Sequence, residues 1–89
     1  MTQQQVEISN RLGLHARAAA KVVHTANAFR SEVFIGTEDE EVNAKSILGL
    51  LTLAATRGTP LMVRAQGEDE DAAVEAIVTL FASRFGEEE

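Results

Sequence analysis

Four side chains in this sequence stand out for the chemistry they could do: His15, Arg17, His24 and Ser46. His15 follows Gly13-Leu14 and opens a run from Ala16 whose apolar residues fall at helical spacing. The backbone N–H groups of Ala16 and Arg17 then lie in a first helical turn, where they have no acceptor within the helix. Such a turn attracts anions through its unpaired N–H groups and the helix dipole. Arg17 adds a permanent cation whose forked donors match phosphate oxygens. The same positive end favours a neutral, nucleophilic imidazole. An imidazole that accepts a phosphoryl group, with N–H donors and an arginine to hold its oxygens, needs no metal, cofactor or second catalytic group. Spacing alone also fits a plainer arrangement, in which His15 merely begins a helix and Arg17 is a surface charge.

His24 lies two helical turns beyond Arg17 and reads as an exposed surface histidine. A metal pair of His15 with His24 lacks a third ligand nearby. Ser46 is most simply a helix cap. After it, Leu50, Leu53 and Ala54 form an inward stripe, while Ile47, Leu48 and Leu51 lie around the other side of the same helix. That surplus of apolar side chains means either a wide buried face or an exposed patch for docking a partner. There is no cysteine, which removes disulfides and thiolate chemistry. No Walker loop, dinucleotide fingerprint, G-x-S-x-G or H-E-x-x-H is found.

The elements that must position these residues follow from periodicity. Val6-Glu7-Ile8 alternates as a half-buried strand does. Ser9 to Leu14 follows as a loop, with Gly13 free to adopt a positive φ. Ala19, Val22, Val23 and Ala26 form one helical stripe from Ala16, with Asn27 as its end. Glu32 to Ile35 reads as a strand, Gly36 to Glu40 as a turn and Glu41 to Ala44 as a short returning strand. Ser46 caps a second helix over Ile47 to about Arg57, which Gly58 ends. Pro60 leads into a strand over Leu61 to Ala65. Asp69 can cap a last helix, with acidic residues in its first turn and Val74, Ile77, Val78, Phe81 and Phe85 on one face. The order β-α-β-β-α-β-α predicts an α+β fold with helices on one face of an antiparallel sheet.

Eighty-nine residues suffice for a single domain, 1–89, with one core. Aromatic residues are only 4%, with no Trp or Tyr, so the core must be aliphatic, with Phe29, Phe34, Phe81 and Phe85 its only rings. A net charge of −6 argues against nucleic acid or an anionic membrane as partner. Much of that charge lies in runs at Glu38–Glu41, Glu68–Asp71 and Glu87–Glu89, which read as solvated turns and ends. The polar start, Met1 to Gln5, has neither the basic nor the apolar region of a secretory leader. No stretch reaches the length of a membrane span. The expectation is a cytoplasmic monomer.

At Gly13-Leu14-His15-Ala16-Arg17, with Ala19, the sequence resembles the G-L-H-A-R-P-A phosphorylation-site motif of the HPr family of the bacterial phosphotransferase system. A second block, Glu41-Val42-Asn43-Ala44-Lys45-Ser46-Ile47-Leu48-Gly49-Leu50-Leu51, is similar to the family's regulatory-serine segment. Two motifs in register, with matching element order, extend the resemblance over almost the whole chain. It implies the HPr-like open-faced β-sandwich, a four-stranded antiparallel sheet with three helices on one face. It implies that His15 accepts a phosphoryl group from enzyme I, ultimately from phosphoenolpyruvate, and passes it to an enzyme IIA-type acceptor without turnover of its own. By the same resemblance Arg17 helps bind the phosphoryl group, and Ser46 is the target of a serine kinase and phosphorylase. The resemblance also implies that partners dock through the start of the first helix, at Ala20, and the exposed side of the second, at Ile47, Leu48 and Leu51.

One departure is Ala18, where the family has proline. Proline there presets φ and lacks an N–H that has no helical partner anyway, so alanine keeps the helix and exposes one more donor. The branch stays open. Val6-Glu7-Ile8, Asn10, Leu12 and the closing segment resemble the nitrogen-related paralogues called NPr, which would make the chain a regulatory interaction module. Asn43-Ala44-Lys45-Ser46 is instead similar to the sugar-branch proteins.

Overall fold

The computed structural model describes residues 1–53 and 55–88. Its strands are β1 (Thr2–Glu7), β2 (Glu32–Gly36), β3 (Glu41–Asn43) and β4 (Pro60–Gln66), and its helices are α1 (Ala16–Ala26), α2 (Ile47–Thr52) and α3 (Glu70–Ala82), followed by a 3-10 turn over Arg84–Gly86. The strands form one sheet in the order β1-β4-β2-β3, every pairing antiparallel. The predicted α+β architecture is therefore the observed one: a four-stranded open sheet with three helices.

Alternation decides which face of the sheet is covered. Leu61, Val63 and Ala65 of β4 and Val33 and Ile35 of β2 point under the helices and are buried. Ala18, Ala19, Val22 and Ala26 of α1 and Ala73, Val74, Ile77 and Phe81 of α3 meet them. Small residues on α1 let that helix approach closely, and the larger side chains of α3 fill the middle of the layer. Phe81 and Phe85 stack edge to face, with centroids 4.9 Å apart.

Several expectations change on contact with the fold. Phe34 is not a core ring: it lies on the open face, where the Arg64 guanidinium sits 4.7 Å above it. Arg64 is held there by both carboxylate oxygens of Glu41, at 2.9 and 2.5 Å. Strand β1 starts at Thr2 rather than Val6, because the polar glutamines pair with β4 on the uncovered part of the sheet. Helix α2 stops at Thr52, short of Arg57. The following segment is taken by other partners: Leu14 N–H donates to Ala55 O, Gly58 N–H to Ile8 O, and Ile8 N–H to Thr59 O. Gly58 thus serves a turn before β4 and does not end α2, and Ala54 of the predicted inward stripe lies outside the described residues. Phe85 reaches the core from beyond the end of α3, with φ of 56°.

The acidic runs are also more than solvated ends. The Asp69 side chain makes no cap bond to α3. It accepts instead from Arg30 N–H at 3.0 Å, Ser31 N–H at 2.9 Å and Ser31 Oγ at 2.5 Å. These bonds, the Ser31 hydroxyl first, hold its carboxyl down at about 2. Glu70 is likewise lowered to about 2, first by the N-terminal ammonium 2.8 Å away.

Candidate functional site

Gly13 is the pivot on which the site is built. Its φ of +70° lies in the left-handed region, and a Cβ there would meet the Ala55 carbonyl oxygen at 2.6 Å. Only glycine allows the approach by which Leu14 N–H donates to that carbonyl, at 3.0 Å. With Leu14 buried, the chain is fixed on both sides of the next residue. His15 is therefore held in extended backbone (φ −85°, ψ 179°) as the N-cap of α1.

The first bond within α1 runs from Ala19 N–H to His15 O at 2.8 Å. The N–H groups of Ala16, Arg17 and Ala18 precede it, in the turn that has no helical acceptors. Arg17 N–H donates to His15 Nδ1 at 3.2 Å, the side-chain cap of this helix. Nδ1 therefore carries a lone pair, directed at the start of α1. The ring's other nitrogen, Nε2, lies 2.5 Å from Glu87 Oε2. The ring is 27% exposed, open to one side yet held at two points.

Around it lies an open cleft lined by Arg11, Leu12, His15, Arg17, Glu87 and Glu88. Asn10 ties Glu87 of this cleft to the loop before α1. Fully buried, Asn10 donates through Nδ2 to Gly13 O at 2.8 Å and Glu87 Oε1 at 2.9 Å. Both neighbours are acceptors, so the amide must turn its nitrogen toward them. Its Oδ1 is left without a partner among the described residues. The Asn10 amide first, and then His15, keep the Glu87 carboxyl below the usual carboxylate range.

Arg17 and Ala20 are exposed on α1, and His24 lies exposed in its last turn. On α2, Ser46 Oγ accepts from Gly49 N–H at 3.1 Å, the expected cap. Leu50 is buried and Leu53 half-buried, whereas Ile47, Leu48 and Leu51 are 42%, 77% and 36% exposed. The apolar surplus of α2 is thus on the surface, which rules out the wide buried face that the periodicity also allowed. Leu12, 64% exposed at the cleft rim, adds a further apolar side chain. Among the described residues no three His, Asp or Glu side chains are grouped to hold a metal.

The sequence placed His15 and Arg17 together but carried no sign that Asn10 and Glu87 join them. Glu87 is 72 residues from His15 and sits in an acidic tail without periodicity. Only the fold brings it back.

Comparison with known proteins agrees with this geometry. A family model described as the PTS HPr component phosphorylation site matches residues 2–83. Phosphocarrier protein HPr of Xylella fastidiosa is 48% identical over 88 residues, 99% of each chain. HPr-like protein Crh of Bacillus subtilis is 49% identical over 77 residues, 86% of this chain and 91% of Crh. The crystal structure of HPr-C-His from Thermoanaerobacter tengcongensis superposes with a TM-score of 0.95 at 43% identity, covering 100% of both chains. With its fold, its site and its sequence all in register with these proteins, the chain belongs to the HPr family of phosphocarrier proteins of the phosphotransferase system.

Proposed function

We propose that this carrier takes up its phosphoryl group on His15, from enzyme I and ultimately phosphoenolpyruvate, and passes it to an enzyme IIA-type acceptor. The observation that carries this reading is the Nδ1 lone pair, aimed at the open start of α1 in a cleft that Arg17 shares. A phosphoryl group on that nitrogen would lie among the Ala16 and Arg17 N–H groups, with the Arg17 guanidinium to bind its oxygens. Ala18 leaves one more N–H in that turn than proline would. As a phosphoryl-group carrier, the chain acts as a protein substrate of other enzymes, without turnover of its own. Residues 1–89 serve as one HPr-like domain, monomeric and cytoplasmic.

Docking uses Ala20 and the exposed Ile47, Leu48 and Leu51, a patch that neighbours the cleft through the packing of α1 on α2. Ser46 lies at the edge of that patch. Phosphate placed there by a serine kinase would add about two negative charges beside the apolar surface and weaken partners with acidic faces. A phosphorylase would reverse it.

Intact-protein mass after incubation with phosphoenolpyruvate and enzyme I tests the reading. One acid-labile phosphoryl group on the wild type and none on His15→Ala is expected. A wild type left unlabelled beside a competent HPr would refute it. A second reading is a regulatory interaction module whose phosphorylation state selects its partners; it is supported by the likeness to Crh, described as the catabolite repression HPr of Bacillus subtilis. A pull-down with unmodified, His15-phosphorylated and Ser46→Asp protein separates the two: the module reading requires the captured set to change with the state.

A further inference from the structure

The C-terminal segment reaches the cleft by a constrained route. After α3, Arg84 and Phe85 adopt left-handed backbone (φ 57° and 56°), and Gly86 follows at φ 79°. Two consecutive non-glycine residues in that region are costly and persist only where the surroundings hold them. Here Phe85 is buried against Phe81, and the Lys21 ammonium of α1 donates to the Phe85 carbonyl. The reversal carries Glu87 back across the start of α1. Its two carboxylate oxygens then meet Asn10 Nδ2 and His15 Nε2 at 2.9 and 2.5 Å.

Each ring nitrogen of His15 is therefore assigned by its partner. An N–H group faces Nδ1, which must accept, and a carboxylate faces Nε2, which must donate. We propose that Glu87 is a positioning residue for phosphoryl transfer: its carboxylate holds His15 as the Nε2–H tautomer and keeps Nδ1, with its lone pair, turned toward the helix start. The proposal rests on His15 being the phosphoryl acceptor. In the transfer, the Nδ1 lone pair forms the bond to phosphorus while the bond from phosphorus to the phosphorylated protein donor breaks, its electron pair leaving with the donor. The Nε2 hydrogen stays in place, so the phosphorylated ring is a cationic imidazolium facing the Glu87 carboxylate. Transfer onward breaks the Nδ1–phosphorus bond and returns its pair to Nδ1, again without moving a proton. Without Glu87 only the 3.2 Å bond from Arg17 N–H favours that tautomer, so the share of rings with hydrogen on Nδ1, which have no lone pair to offer, rises.

The charged groups that line the cleft with His15 are Arg11 from the loop, Arg17 from α1, and Glu87 and Glu88 from the tail, and Lys21 of α1 acts on Glu87. Glu87 adds negative charge near an incoming anion, so the tail could instead screen the site. The geometry favours positioning, because the carboxylate is bonded at Nε2 and not at Nδ1, whose bond is the longer one, from Arg17 N–H at 3.2 Å.

Nitrogen NMR of the His15 ring in the full chain, above pH ~8.5 where an ordinary imidazole is neutral, separates these roles. Wild type should show a hydrogen-bearing Nε2 and a bare Nδ1. Glu87→Ala should move both signals toward a tautomer mixture and slow phosphorylation by enzyme I about tenfold, an effect typical of losing a group that orients a reacting histidine. Glu87→Gln, which keeps an oxygen acceptor, should restore the tautomer and part of the rate. An E87A variant with unchanged ring signals and a rate equal to or above wild type overturns the proposal while leaving His15 as acceptor. A wild type that takes up no phosphoryl group overturns that underlying reading, and the proposal with it.

Discussion

At the start of α3 the Asp69 carboxylate turns away from its own helix and takes bonds from Arg30 N–H, Ser31 N–H and Ser31 Oγ. At the start of α1 the His15 ring does cap its helix, yet it stays 27% exposed, with one nitrogen aimed into an open cleft. Both positions are polar helix starts in the sequence. The first joins the α1–β2 connection to α3, and its acceptor capacity is used inside the fold. The second is bonded at both ring nitrogens too, but its Nδ1 lone pair meets only the Arg17 N–H at 3.2 Å, on a ring that is 27% exposed at a helix start. A polar group held by several short bonds within the fold contributes structure; one held by a single long bond at an exposed helix start can exchange it for chemistry.

Substitutions at these two places should separate in what they damage. His15→Ala is expected to abolish phosphoryl uptake while costing about 1 kcal/mol or less of stability, the usual scale of a lost cap. Mass spectrometry and thermal melting on the same sample measure the two effects, and a large drop in melting temperature would show that His15 is structural. Next in size, Arg17→Ala should slow uptake about 10- to 100-fold, as expected for losing a charge-assisted hydrogen bond to the phosphoryl group. An unchanged rate under single-turnover conditions would remove Arg17 from the site.

Asp69→Asn should show the reverse pattern: normal phosphoryl uptake with lowered stability at neutral pH. Because the Asp69 carboxyl is held at about 2 in the folded chain, below the ordinary 3.8, its contribution is present above pH ~4 and lost as pH falls toward 2. Denaturant titrations across that window should show a flatter acid limb for the variant. A limb as steep as the wild type's would place the acid sensitivity elsewhere, with Glu70 the first alternative. The smallest effect on the fold is expected from Leu48→Ala. Leu48 is 77% exposed, so stability should move by less than about 0.5 kcal/mol, while the apparent affinity for enzyme I falls. Unchanged affinity would take Leu48 out of the docking surface.

Much of this was legible in the residue pattern. Ala16–Ala26 with Asn27 closing it, the β2–β3 turn, Pro60 at the first position of β4 and the Ser46 cap all follow from local rules, because each depends on neighbours within about four residues. The misread elements depended on distant partners. Ile47 to Arg57 has helical spacing throughout, yet the segment from Ala55 to Thr59 bonds with Leu14 and Ile8 instead. Phe85 falls on the α3 stripe by count, but the chain has already left the helix when it is buried.

The sequence by itself determined that His15 and Arg17 share one helix start, since they are two residues apart and Gly13 permits the turn that leads into it. It also determined that α2 carries more apolar side chains than one inward face can use. Only the tertiary structure decided that those side chains remain on the surface, that Asp69 serves the α1–β2 connection rather than its own helix, and that Glu87 returns to His15. The reason is physical. Periodicity records which residues share a face of one element, whereas the partner of an isolated carboxylate depends on where the fold brings distant segments together.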